Sequence, residues 1–192
     1  VILWIGVAML AGCASGPHPG AGARQLQELQ ADLAQVSKDG ESPFRSGYVI
    51  KVHVQGQTVF SRYEGFASAE TGESIHDETV FELASLSKIF TALAVMQLHE
   101  QGRLALDKPL GLYLSDLPKT WVGLNAHQLL THQSGLPDPI NLWPRKRLDG
   151  LDFGAVLAYF RQSPALLFSP GTQASYSNTN YMLLAHLVSQ VS

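Results

Sequence analysis

Cysteine occurs once in these 192 residues, at Cys13. An intrachain disulfide framework is therefore excluded. Charge is scarce too: 15% of residues are Asp, Glu, Lys or Arg, with a net balance of −3. Such a chain offers no basic face for nucleic acid, and the run Pro144–Arg147 is too short to be more than a solvated loop. No apolar run is long enough to span a bilayer, which takes roughly 20 residues; the opening stretch Val1–Gly12 falls well short. Metal-binding spacing is also missing. Of seven histidines, His127 and His132 are five apart and do not share a helix face, no His-x-x-x-His pair occurs, and no carboxylate cluster accompanies them. No metal ligand and no cofactor is assigned.

What is present is a globular composition, 45% hydrophobic, with enough apolar material for a sizeable core. The length and apolarity of residues 1–12 suit the hydrophobic region of a signal peptide, although a starting Met and a basic leading segment are missing. The sequence Leu10-Ala11-Gly12-Cys13 resembles a bacterial lipobox, which implies a lipidated Cys13 and attachment to a membrane of the bacterial cell envelope, on its periplasmic or extracytoplasmic side. The alternative is a plain signal peptide in which Cys13 is one more small apolar residue. Residues 13–23, rich in Gly, Pro and Ala, read as the anchored cysteine and a flexible tether.

From residue 24 to 192 the pattern is that of a folded domain. Leu26, Leu29, Leu33 and Val36 recur at helical spacing and predict an amphipathic helix ending near Gly40. Alternation on both sides of Gln55-Gly56-Gln57 predicts a hairpin of strands Tyr48–Val54 and Thr58–Tyr63. "TVFELA" reads as a short extended run leading into Ser85. From Lys88 to Gln101 apolar residues cover most of the helical surface, which predicts a helix central to a core and ended by Gly102. Asn125 and Gln128 form a variant capping box, "LDFGAVLAYFRQSP" predicts a helix from Asp152 that stops before Pro164, and a last helix begins near Asn180. The fold class is α+β: an antiparallel sheet flanked by helices, with a sheet-forming part over 41–84 and an α-helical part over 85–192. The hairpin alone is too small a sheet, so the sheet is expected to be incomplete in these residues.

Two short motifs could carry chemistry. Ser85 and Lys88, three residues apart at a helix start, lie on one face. There the serine oxygen is near unpaired backbone N–H groups and the positive end of the dipole, and a lysine buried against apolar neighbours would tend to shed its proton and activate the hydroxyl. The same residues would also make an ordinary helix beginning, a serine near the N-cap and a lysine reaching for solvent. Tyr176-Ser177-Asn178 ends an extended stretch just before a helix. A tyrosine hydroxyl near cations can serve as base for a serine and later as acid for a leaving group, and an asparagine amide can both donate to and accept from a substrate amide. Taken alone, this too is a common helix entrance.

The surrounding phrases narrow the choice. "FELASLSKIFTALAVMQLHEQGRLALDKPLGLYL", "LLTHQSGLPD" and "PGTQASYSNTNYMLLAHLV" together resemble the serine β-lactamase and penicillin-binding-protein superfamily, over residues 48–192. They are most similar to the branch containing class C β-lactamases, D-alanyl-D-alanine carboxypeptidases and related esterases. The resemblance implies the β-lactamase/DD-peptidase-like fold, with Ser85 as the acylated nucleophile, Lys88 as its proton partner, Tyr176 as the candidate base, Asn178 in contact with the substrate amide, and the Ser85 backbone N–H as one oxyanion donor. His132 and Ser134 would be scaffold. The implied partner is a small-molecule or peptide substrate: a β-lactam, a D-Ala-D-Ala peptide, or a small ester or amide. The family's third motif, a Lys- or His-containing triplet ending in Gly on a sheet strand, has no counterpart after Asn178. The chain is therefore expected to be C-terminally truncated, and these residues alone to lack hydrolase activity. A non-catalytic penicillin-recognising lipoprotein, or an unrelated envelope lipoprotein, are the alternatives.

Overall fold

The computed structural model describes residues 24, 25, 27, 28, 31, 32, 47–54, 56–141, 153–162 and 165–192. The chain divides into two compact units, Val1–Phe81 and Glu82–Ser192. Helical backbone is present at residues 24, 25, 27, 28, 31 and 32. The expected apolar stripe at Leu26, Leu29, Leu33 and Val36 lies outside the described residues, as do the signal-like stretch and Cys13.

The first unit contains a three-stranded antiparallel sheet in the order β1-β2-β3: β1 Gly47–Val54, β2 Gln57–Ser68 and β3 Glu73–Ser74. The hairpin appears where alternation of β-branched residues predicts it, with Tyr48 opposite Glu64 and Val52 opposite Phe60. Strand β2 runs five residues past its expected end at Tyr63, because Phe66 and Ser68 find partners in Ser74 and Glu73. Gly47 makes the close packing of this region possible. A Cβ there would sit 2.5 Å from the Glu64 carbonyl oxygen and 2.6 Å from Cδ1 of buried Ile75. Lys51 pairs with Asp77, which also accepts a 2.6 Å hydrogen bond from the Tyr63 hydroxyl. Thr79–Leu83, expected to be extended, joins no strand.

The second unit is helical. A 3-10 turn, Ala84–Leu86, leads into α1, Ser87–Glu100; then follow α2, Ala126–Leu130, α3, Phe153–Gln162, and α4, Asn178–Val191, with further 3-10 turns at Leu110–Leu112 and Pro139–Asn141. Helix α1 stops where Gly102 takes φ 70°, donating to His99 O while Arg103 donates to Leu98 O. That pair of bonds satisfies carbonyls the helix end would otherwise leave open. The expected capping box closes α2: Gln128 N donates to Asn125 Oδ1 at 2.9 Å and Asn125 N to Gln128 Oε1 at 3.1 Å. The expected Asp152 start of α3 lies outside the described residues.

One core fills this unit. Val95 and Leu98 of α1, Leu129 of α2, Val156, Leu157 and Phe160 of α3, and Leu183, Leu184 and Leu187 of α4 close around Trp121, Leu104, Leu110 and Leu124. Trp121 meets the Phe160 ring at 5.4 Å. The α1 expectation needs correction here. Only Val95 and Leu98 of this helix are buried, while Ile89, Phe90 and Leu93 are each more than half exposed. Sequence periodicity reports which faces are apolar, and α1 is apolar nearly all round; within this unit it finds cover for one side only.

Candidate active site

Ser85 sits in the 3-10 turn immediately ahead of α1. The chain enters that turn through Ala84 at φ 46°, a left-handed conformation that costs a non-glycine residue about 1–2 kcal/mol. Ser87 Oγ donates to the Ala84 carbonyl and ties the turn to the helix start. Lys88, one turn on, is half-buried rather than buried, and its Nζ donates to Ser85 Oγ at 3.3 Å and to Asn178 Oδ1 at 2.7 Å. The same ammonium lies 5.0 Å from the centre of the Tyr176 ring and 5.7 Å from that of Tyr181.

Tyr176 and Asn178 arrive from the far end of the unit. Helix α4 starts at Asn178, two residues earlier than expected, which puts Asn178 in its first turn with Ser177 as N-cap. The Tyr176 hydroxyl shares a 2.8 Å hydrogen bond with Ser85 Oγ. Ser85 Oγ is thus flanked by a phenol oxygen and an ammonium nitrogen, and Asn178 joins the cluster through its 2.7 Å contact with Lys88 Nζ. Ser85 and Tyr176 are open to solvent. In this arrangement the Lys88 ammonium donates to the serine oxygen, and the serine's own proton can leave toward the Tyr176 oxygen.

A loop holds the second half of this cluster residue by residue. Residues 132–138 run alongside 175–180. His132 O accepts from Ser175 N at 2.9 Å; the His132 ring stacks 4.6 Å from Tyr176 and 5.3 Å from Tyr181. His132 Nδ1 accepts from Ser177 N at 3.3 Å and lies 3.0 Å from Asn180 Nδ2. Buried Ser134 donates to Asn180 Oδ1 and accepts from Leu136 N at 3.0 Å. Pro137 O accepts from Ser177 Oγ at 3.0 Å and Thr179 Oγ1 at 2.7 Å. Finally, Asp138 accepts from Asn178 Nδ2 at 3.1 and 3.3 Å. Gly135, at φ 77°, lets the loop pass the backbone of Phe168: a Cβ would run into that carbonyl oxygen, and Leu167 N donates to Gly135 O at 2.8 Å.

The electrostatics follow from the packing. A backbone N–H points at His132 Nδ1, so that nitrogen is an acceptor and the ring carries its proton on Nε2. Burial first, and the Lys88 charge second, hold the His132 pKa below the ordinary 6.5, with Asp138 opposing them. Burial, with Tyr176 adding to it, pushes the Tyr181 phenol above its ordinary 10.0.

Sequence reasoning placed His132 and Ser134 in the scaffold, and both do pack beneath the Tyr176–Asn180 segment. It missed Asp138. The residue stands in the quoted phrase "LLTHQSGLPD", yet nothing in its spacing says that it faces a side chain 40 residues away.

The family model described as Beta-lactamase matches residues 31–192. Penicillin-binding protein 4* of Bacillus subtilis is 30% identical over 141 residues, covering 71% of this chain and 31% of its own length. Esterase EstB of Burkholderia gladioli is 39% identical over 95 residues, 47% of this chain and 24% of its own. Among solved structures, a β-lactamase/D-alanine carboxypeptidase from Pseudomonas syringae superposes with a TM-score of 0.63 at 26% identity, over 89% of this chain and 45% of that one. The chain thus spans about a quarter to a third of the two curated relatives.

Proposed function

Since the chain belongs to the Beta-lactamase family, we propose that it forms the nucleophile-bearing part of a serine hydrolase that works through an acyl-enzyme on Ser85. The observation that carries this reading is the position of Ser85 Oγ, 2.8 Å from Tyr176 OH and 3.3 Å from Lys88 Nζ. Ser85 Oγ attacks the substrate carbonyl as its proton passes to Tyr176 acting as the general base, while the Lys88 ammonium donates to Ser85 Oγ and offsets the charge that develops there. The Ser85 backbone N–H receives the developing oxyanion. The carbonyl carbon's bond to the leaving nitrogen or oxygen breaks, and the leaving group takes the proton back from Tyr176. Water then repeats the sequence to release the acid and free Ser85.

The candidate substrates are β-lactams, D-Ala-D-Ala peptides and small esters or amides, in keeping with what the relatives are named for: a penicillin-binding protein, an esterase and a D-alanine carboxypeptidase. The test is to treat the intact protein with a fluorescent penicillin and with p-nitrophenyl butyrate, beside Ser85→Ala. Turnover of either, lost in S85A, supports the hydrolase. Stable labelling without turnover makes it a penicillin-recognising binding module instead, and a wild type inert to both probes rejects the reading. Residues 1–192 on their own are expected to turn over neither, because the family's third motif is not among them. From Leu10–Cys13 we propose a lipid anchor in the bacterial envelope; metabolic labelling with palmitate, abolished by Cys13→Ala, is its test.

A further inference from the structure

Asn178 has a neighbour that the hydrolase reading does not use. Its carboxamide lies between two charged groups, the Lys88 ammonium 2.7 Å from Oδ1 and the Asp138 carboxylate 3.1 Å from Nδ2. We propose that Asp138 is a positioning residue: it fixes the orientation of the Asn178 carboxamide and, through it, the place of the Lys88 ammonium beside Ser85. This rests on the hydrolase reading above.

The argument begins with the shape of an asparagine. Its oxygen and nitrogen are nearly the same size, and a half-turn about the last side-chain torsion exchanges them at little steric cost. The two orientations are not equivalent for Lys88. One offers the ammonium an acceptor; the other sets two donors against each other. An ionised carboxylate only accepts, so Asp138 can face the nitrogen of Asn178 and not its oxygen. Its presence therefore selects the orientation that turns Oδ1 to Lys88.

Asp138 is itself held firmly enough to do this. Its Oδ1 accepts a 3.0 Å hydrogen bond from Ile140 N at the start of the 3-10 turn Pro139–Asn141. The residue before it is locked as well, since Pro137 O accepts from both Ser177 and Thr179, the neighbours of Asn178 on either side. The loop thus cannot slide without breaking three contacts to the same short segment. The neutral amide also separates two opposite charges. Direct contact with Asp138 would draw the ammonium into an ion pair and away from Ser85; with Asn178 between them, Nζ stays 3.3 Å from Ser85 Oγ.

A plainer role is available, in which Asp138 only caps the Pro139–Asn141 turn. Serine separates the two roles, because it caps a turn well but is too short to reach Asn178. In the intact protein, Asp138→Ser is expected to keep the wild-type melting temperature and KM for p-nitrophenyl butyrate while kcat falls on the order of 10- to 100-fold, the scale of a misplaced catalytic group. Asp138→Ala should lose kcat to the same extent, whereas Asp138→Glu should regain part of it. The second readout is the Asn178 side-chain amide signal in a 15N-correlated NMR spectrum, assigned by its absence in Asn178→Asp. Its hydrogen-exchange protection should disappear in D138S.

A D138S protein with wild-type kcat beside a slow D138A overturns the proposal and leaves a turn cap. If the wild type hydrolyses no probe, it is the hydrolase reading that has failed. The amide signal still decides the orientation: lost protection in D138S upholds it, and an unchanged signal overturns it.

Discussion

Ser85 Oγ and Tyr176 OH lie 2.8 Å from each other although the two residues are 91 positions apart in the chain. The Tyr176 ring also rests on His132, so that removing only its hydroxyl leaves the packing in place. Tyr176→Phe in the intact protein is therefore expected to fold with an unchanged circular dichroism spectrum. Its acylation rate should fall by roughly 10²- to 10⁴-fold, the usual range for losing a positioned acid–base group. Rapid-mixing measurement of the first acylation step checks this, and a rate within a factor of two of wild type would remove Tyr176 from the proton path.

His132 makes stability depend on pH in a direction that follows from its surroundings. Its folded pKa lies below the unfolded value near 6.5, with burial as the main cause. Between those two values the unfolded chain binds more protons than the folded one, so acid favours unfolding there. The contribution is complete above pH 6.5 and is lost progressively as pH falls toward the folded pKa. His132→Asn can occupy the same left-handed backbone, φ 57° in the wild type, but cannot titrate. The expected outcome is a lower melting temperature at pH 7.5, from lost ring stacking, with a shallower decline between pH 6.5 and 5. An equally steep decline would put the acid sensitivity elsewhere.

Gly135 is the position at which the loop is least tolerant of a side chain. Alanine there meets both the Phe168 carbonyl and an unfavourable φ of 77°. Gly135→Ala should destabilise the helical unit by about 1–3 kcal/mol. Because the loop carries both His132 and Asp138, catalytic loss should exceed what the melting temperature alone accounts for. Thermal unfolding read beside kcat at a temperature where both proteins are folded tests the pair of effects.

The exposed side of α1 gives a prediction about residues 1–192 studied by themselves. With Ile89, Phe90 and Leu93 open to solvent, they should enhance the fluorescence of an apolar-surface dye. Phe90→Glu should dim that signal while changing stability by no more than about 0.5 kcal/mol, as expected for a surface site. Leu187→Ala, fully buried on α4, should instead cost about 2–5 kcal/mol. Equal effects of the two changes would mean that the α1 face is covered in solution.

How much of this could be read from the sequence depended on how local each determinant is. The β1–β2 hairpin, the Asn125–Gln128 cap and the Gly102 stop rest on residues a few positions apart, and all three appear where the sequence places them. The end of β2 was misjudged because its last residues pair with a strand of only two residues, too short to leave a pattern. Ser85 and Lys88 were visible as a helical spacing, whereas Tyr176 and Asn178 were joined to them only through resemblance to a family. Asp138 was not legible at all. Its contact depends on the path of a loop, which is set by Gly135, Ser134 and Pro137 acting together, and no periodicity encodes that. The open side of α1 was misread because an apolar face does not name the surface that covers it.

The pairing of residues 132–138 with 175–180 works as a ruler. Each contact is set by a count of residues along two strings of chain, neither of which is a strand or a helix over its whole length. Individual side chains can be exchanged with graded cost, but adding or deleting one residue between His132 and Asp138 would move every later contact by one place. The segment should therefore tolerate drift in spelling far better than any change in length.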